Sequence, residues 1–182
     1  MKLKTRRLIL RPLKDSDAED IVRGVGNLEV SKWLLVVPHP YSLEDAKTWI
    51  ISNKKKWKDK NRDSYSYGIE LKKEHRIIGA MSLMHLSKTQ GTAEVGYWIE
   101  QDYHGKGYGG EALKAVVDFA FNDLKLRRLE ASIFDGNNSS GKLLEKLGFK
   151  QEGFRKESKI SKSNGQLHDE RLYGLLREEY KG

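Results

Sequence analysis

Two neighbouring stretches decide the fold of this chain: Ala93-Glu94-Val95-Gly96-Tyr97-Trp98-Ile99-Glu100, and His104-Gly105-Lys106-Gly107-Tyr108-Gly109-Gly110 just after it. The first alternates as a strand does, with Glu94, Gly96 and Trp98 on one face and Val95, Tyr97 and Ile99 on the other. The second places four glycines in six residues ahead of a helix-like run over residues 111–123. Glycines leave backbone N–H groups uncovered, permit positive φ and allow a ligand to approach the backbone closely. At a helix N-terminus those N–H groups and the aligned peptide dipoles favour an anion such as a phosphate or pyrophosphate. Strand, glycine turn and helix in this order predict a phosphate cradle. The plainer alternative is a surface loop that happens to be rich in glycine.

Spacing excludes two familiar phosphate motifs. A P-loop needs Ser or Thr directly after a Gly-Lys pair, and none follows one here. A dinucleotide fingerprint needs a third glycine in another position, near the start of a βαβ unit rather than about a hundred residues into the chain.

Working outward, residues 8–13 read as a first strand stopped by Pro12. Ser16 and Glu19 have capping-box spacing ahead of a short helix carrying Ala18, Ile21 and Val22. A second helix starts near Ser42 and turns Ala46, Trp49, Ile50, Asn53 and Trp57 inward. Residues 65–71 and 76–86 form a strand pair, and the helix after the glycine loop presents Leu113, Val116, Val117, Ala120 and Leu124. Residues 128–134 make a strand, and residues 139–147 a helix closed by Gly148. Residues 154–161 and 167–176 form a hairpin around Asn164-Gly165. Hairpins followed by βα units predict an α/β or α+β chain: one domain over residues 1–182, with a mixed sheet and helices on both faces.

Composition bounds the chemistry. A fraction of 37% apolar and 33% charged residues, with no long apolar run, reads as a soluble chain for which the cytoplasm is the expected compartment. The absence of cysteine removes disulfides, thiolate metal ligands and a cysteine nucleophile. A net charge of +8 favours acidic ligands or a polyanionic neighbour. The densest basic run, Lys54-Lys55-Lys56-Trp57-Lys58-Asp59-Lys60-Asn61-Arg62, reads either as a contact for RNA or as a solvated helix end.

Three further features carry chemistry. Gly96 inside a strand predicts a bulge or a closely approaching ligand. Glu94, on the same face, is either a general base or a surface carboxylate. Asn137 and Ser140, in Asp135-Gly136-Asn137-Asn138-Ser139-Ser140, either cap a helix or contact a ligand passing between two strands.

Six pieces resemble the GNAT superfamily of acetyl-coenzyme A-dependent N-acetyltransferases, closest to the branch that acetylates ribosomal-protein N-termini. They are Thr5-Arg6-Arg7-Leu8-Ile9-Leu10-Arg11-Pro12, Ile78-Gly79, Glu94-Val95-Gly96-Tyr97-Trp98, Gly105-Lys106-Gly107-Tyr108-Gly109, Asn137 with Ser140, and Glu145-Lys146-Leu147-Gly148-Phe149. They span nearly the whole chain in the expected order. The superfamily's loop has Gln or Arg first, Gly fourth and Gly or Ala sixth. His104, Gly107 and Gly109 align with those positions, and the histidine is a departure.

The resemblance implies a mostly antiparallel sheet splayed between two strands, with the pyrophosphate of acetyl-CoA on His104, Gly105, Lys106, Gly107, Tyr108, Gly109 and Gly110. It places the pantetheine arm between residues 93–100 and 128–134, near Tyr97, Trp98, Ile99, Asn137 and Ser140. It implies no metal. Glu94 is the first choice of base, Glu130 the second and bound water the third. Ser140 would donate to the departing thiolate. Leu144 stands near where some relatives carry a catalytic tyrosine. Residues 33–42 and the tail hairpin would border the acceptor, and His168-Asp169 in that hairpin either lines it or is an ordinary exposed pair. The expected partners are acetyl-CoA and an amine, and ribosome association and a homodimer stay open. The acceptor is expected to be a protein N-terminus. A small-molecule amine acetyltransferase, a non-catalytic acyl-CoA sensor and an RNA-associated protein remain the alternatives.

Overall fold

The computed structural model describes residues 1–182. A short strand β1 (Leu3–Lys4) and β2 (Leu8–Arg11) lead to α1 (Ala18–Val25), the one-turn α2 (Leu28–Ser31) and α3 (Leu43–Lys58). Strands β3 (Tyr65–Leu71), β4 (Arg76–Ser87) and β5 (Thr92–Ile99) follow, then α4 (Tyr108–Asp118), β6 (Arg128–Phe134), α5 (Asn138–Lys146), β7 (Lys150–Ile160) and β8 (Leu167–Leu176). All eight strands form one sheet in the order β1-β2-β3-β4-β5-β6-β8-β7. Every neighbouring pair is antiparallel except β5–β6, which is parallel. A parallel neighbour needs a crossover, and α4 supplies it.

The sheet is covered on both faces because its strands alternate. On one side Leu8, Leu10, Tyr67, Ile69, Leu83 and Val95 pack against Ala112, Leu113, Val116 and Val117 of α4. On the other, Leu13 and Ile77 pack against Ile21 and Val25 of α1 and Ala46 and Ile50 of α3, with Trp98 against this cluster. Strand β5 therefore feeds both cores, Val95 one way and Trp98 the other. Each fully buried Ile or Leu contributes about 1.5–3 kcal/mol of transfer free energy, so both layers hold the position of β5. No helix is long and apolar enough to cross a membrane.

Local details differ from expectation for physical reasons. Ser16 and Glu19 make no capping box. A 3-10 turn, Asp15–Asp17, stands there instead, with the Asp17 N–H donating to the Lys14 carbonyl at 3.0 Å. The Asp17 carboxylate is committed to Arg11, at 2.8 and 2.9 Å, and to the Lys14 N–H at 2.7 Å, so the α-helix starts after it. The helix expected over residues 111–123 begins earlier, at Tyr108, and its last turn, Phe119–Asp123, widens into a π-turn. Ser42 caps α3 through Asp45 N–H as its sequence suggests.

Candidate active site

Strands β5 and β6 pair only at Thr92↔Arg128, Ala93↔Leu129 and Glu94↔Glu130. Beyond Glu94 they part. β5 stays hydrogen-bonded to β4 as far as Ile99, and β6 stays bonded to β8 as far as Phe134. The result is a wedge whose inner edges present main-chain N–H and C=O groups without strand partners. Such edges suit an extended ligand with amide groups of its own.

Each arm of the wedge runs into the start of a helix, β5 into α4 and β6 into α5. Between Ile99 and α4 the chain turns through Gly105 (φ 71°) and Gly107 (φ 79°), both in the left-handed region that glycine tolerates best. No amide from Gly105 to Gly110 donates among the turn, loop and cap hydrogen bonds. The next donor is Glu111, to the Gly107 carbonyl at 3.1 Å. A run of orphan amides at the positive end of α4 fits a pyrophosphate.

The other loop residues divide by task. His104 turns its ring back, with Nε2 donating to the Ile99 carbonyl at 2.7 Å, and so ties the loop to the end of β5. Lys106 extends over the Tyr103 ring at 5.3 Å. A Cβ at Gly109 or Gly110 would lie 3.3 Å from Leu143 of α5, so these two glycines let α4 and α5 approach. That packing role was not anticipated from the sequence.

Arg7 supports the loop from below. Its guanidinium donates to Glu111 Oε2 (2.6 Å) and to the Lys106 carbonyl (2.9 Å), and lies 4.3 Å from the Tyr108 ring centroid. Thr5 Oγ1 and Arg7 N–H donate to Glu111 Oε1 at 2.5 and 2.7 Å. Burial disfavours the charged Glu111 carboxylate, but these three donors outweigh it and hold its pKa below the ordinary value. The clamp neutralises an acid that would otherwise oppose a phosphate.

Tyr97 and Ser140 meet across the wedge. The Tyr97 hydroxyl lies 2.7 Å from Ser140 Oγ and donates to the Ser140 carbonyl at 3.3 Å. Burial pushes the Tyr97 phenol up to about 12, against the Ser140 bond, which lowers it. The phenol therefore keeps its proton at neutral pH. Asn137 caps α5, its Oδ1 accepting from Ser140 N–H at 3.3 Å and Ser139 Oγ at 3.1 Å. Leu144 is fully buried and carries no polar group into the wedge.

On the opposite sheet face, Glu94 lies at the last β5–β6 pair and bonds to His85 Nδ1 at 3.0 Å. Its neighbour Glu130 is ion-paired with Arg128 at 2.8 Å, and Arg128 also grips Glu152. Gly96 has a steric reason to be glycine, because a Cβ there would lie 2.6 Å from the Met84 methyl. The bulge expected at Gly96 sits instead in β4, between Met84 and Ser87.

The loop between α2 and α3 closes this face. Its Leu34 and Leu35 carbonyls accept from Ser161 Oγ (3.3 Å) and Lys162 N–H (3.0 Å) of the β7–β8 hairpin. Beside it, the His168 ring stacks on Phe134 with centroids 4.2 Å apart. The buried Glu170 accepts from Ser132 Oγ (2.7 Å) and Ser158 Oγ (2.8 Å). Asp169 faces away into the hairpin, where Oδ1 accepts the Glu157 N–H at 2.7 Å. Sequence reading passed over His85, Ser132 and Glu170, whose contacts all depend on strand register.

The family model described as "Acetyltransferase (GNAT) domain" matches residues 7–150. The uncharacterized N-acetyltransferase p20 of Bacillus licheniformis is 31% identical over 182 residues, covering 99% of this chain and 98% of that one. The ribosomal-protein-serine acetyltransferase of Escherichia coli is 30% identical over 104 residues, 57% of each chain. The spermidine N-acetyltransferase of Vibrio cholerae, solved with CoA and spermine, superposes with a TM-score of 0.81 at 21% identity, covering 98% of this chain and 100% of that one, and shares the fold. With the wedge and the orphan amides, these matches place the chain in the GNAT acetyltransferase family, as an acetyl-CoA-dependent N-acetyltransferase.

Proposed function

We propose that this enzyme acetylates the α-amino group at a protein N-terminus. The observation that carries the reading is the acceptor-side wall. The α2–α3 loop and the β7–β8 hairpin are hydrogen-bonded together and expose Leu35, Val36, Ile160 and Leu167 along one rim. An apolar rim beside main-chain edges suits a peptide better than a polycation. The net charge of +8 also disfavours polyamines and suits acidic acceptors or work beside ribosomal RNA. The similarity to a ribosomal-protein-serine acetyltransferase agrees with this choice.

Acetyl-CoA supplies an activated thioester carbonyl, and the chain's own groups do the rest. The amides of the glycine loop hold the pyrophosphate, and the inner edges of β5 and β6 align the pantetheine arm. Glu94 takes a proton from the incoming ammonium, directly or through one water. A main-chain N–H near Gly96 or Tyr97 receives the charge that gathers on the carbonyl oxygen. Ser140 donates to the departing sulfur and is backed by the Tyr97 hydroxyl at 2.7 Å. With no cysteine in the chain an acyl-cysteine intermediate is excluded, and we infer direct transfer with both substrates bound, which a trapped acetyl-enzyme would overturn.

The test is thiol release against three acceptor sets: peptides with free N-termini, the same peptides blocked at the N-terminus but carrying lysine, and spermidine or spermine. Release with the first set alone is expected. Release with polyamines alone overturns the proposal.

A further inference from the structure

The ladder between β4 and β5 is regular from Gly79↔Ile99 to Met84↔Glu94 and resumes at Ser87↔Thr92. Between those pairs β4 carries His85 and Leu86, while β5 carries only Ala93. The extra residue is a β-bulge, a feature that re-aims side chains. His85 takes φ 51°, a left-handed conformation uncommon for a residue with a Cβ. The Leu86 N–H is meanwhile held by the Asp63 carbonyl at 2.8 Å. In a regular strand His85 would face away from Glu94. The bulge swings its ring round so that Nδ1 lies 3.0 Å from Glu94 Oε2. The Glu94 side chain is 30% exposed and the His85 side chain 77%, so one end of the imidazole touches the carboxylate and the rest stands in water.

The overall reaction leaves a proton to be placed. An ammonium and an acetyl thioester give an amide, a thiol and one free proton. Nitrogen loses two protons: the one shed after attack replaces, through bound water, the proton that Ser140 gives to sulfur in the roles assigned above. The other arrives at Glu94 and must leave before the next turnover.

We propose that His85 exports this proton, a role that rests on Glu94 being the base. Nδ1 takes the proton from the Glu94 carboxyl and restores the carboxylate. Nε2 then gives its own proton to water, and exchange with solvent returns the ring to its starting tautomer. Only O–H and N–H bonds change, and no electrons are transferred. The charged groups around the pair are Glu130 opposite Glu94 on β6, Arg128 bound to Glu130 and to Glu152 of β7, Lys88 in the β4–β5 turn, and Asp63, 3.9 Å from Lys56. These stay constant when His85 is replaced.

An exposed pair of this kind contributes only about 0.2–1 kcal/mol to stability, so replacing His85 with Asn or Gly, both tolerant of positive φ, leaves folding intact. In dilute, non-nucleophilic buffer His85→Gly and His85→Asn are expected to lower kcat by about tenfold or more. The KM for acetyl-CoA and the melting temperature should be unchanged. Added imidazole should restore kcat in His85→Gly, with the rise following neutral imidazole across the pH range. It should not rescue Glu94→Gln. Full kcat in His85→Gly, or a loss that imidazole leaves unrepaired, overturns the proposal while leaving Glu94 in place if Glu94→Gln is slow. Wild-type kcat in Glu94→Gln removes the base itself, and the relay with it.

Discussion

At the scale of single residues, the two sides of the wedge hold different chemistry. Ser140 and Tyr97 form a neutral, hydrogen-bonded pair on the α4 and α5 side, and Glu94 with His85 forms an ionisable pair on the opposite face. The proposed roles use this division, Ser140 as the acid for the departing sulfur and Glu94 as the base for the arriving nitrogen. Glu94→Gln should therefore lower kcat by about 100-fold or more, the usual worth of a positioned base, and leave acetyl-CoA affinity unchanged in a calorimetric titration. Ser140→Ala should slow thiol release most with acetyl-CoA and least with a thioester of a more acidic thiol, which needs less help to leave. Equal slowing of both would remove the donor role. The positions of Glu94 on its strand and of Ser140 at its helix start were legible because alternation and helix-start spacing are local properties of a sequence. Leu144, named because some relatives carry a tyrosine nearby, contributes packing alone. His85 was not legible. Its place depends on one extra residue in a ladder whose pairing partners lie on another strand.

At the scale of elements, the glycine loop works through its backbone, so its variants divide by conformation. Gly107 is at φ 79° and would force alanine into the left-handed region, at roughly 1–2 kcal/mol. Gly107→Ala is expected to raise the KM for acetyl-CoA severalfold with little change in kcat. Gly110→Ala keeps an ordinary backbone and meets only a Leu143 methyl, so it should act mainly through the α4–α5 contact and lower the melting temperature instead. The order of strands and helices was readable because hydrophobic period and turn residues are local. The clamp that carries the loop was not. Thr5 and Arg7 appeared only as part of a family pattern, and their partner Glu111 lies 106 and 104 residues further on. Its pH behaviour follows from the depressed Glu111 pKa. The stabilisation is complete above the unfolded value of about 4.3 and is lost as pH falls through the lower folded value. Urea unfolding should show Glu111→Gln less stable than the parent at pH 7, with the gap narrowing as pH falls below about 4.

At the scale of the whole molecule, one sheet serves two cores, and a single buried cation joins the first strands to the helices. Arg11 is 4% exposed and bonded to both Asp17 and Glu70. Its hydrogen bond to Asp17 outweighs the cost of burial and raises its pKa further. Arg11→Ala would leave the buried Asp17 and the half-buried Glu70 without their counter-charge, so a loss of about 3–5 kcal/mol is expected in urea unfolding. The net charge of +8 sets a second global property. For a peptide of acidic sequence kcat/KM should fall as salt rises, and for a basic peptide it should rise, because added ions screen attraction and repulsion alike. The wedge itself is pinned at both ends, at its apex by the Glu94↔Glu130 pair and at its mouth by Leu143 resting on Gly109 and Gly110. The separation of the two strand ends is therefore set by a side-chain contact between α4 and α5, and trimming Leu143 should loosen that contact, and with it the glycine loop, without touching Tyr97 or Ser140.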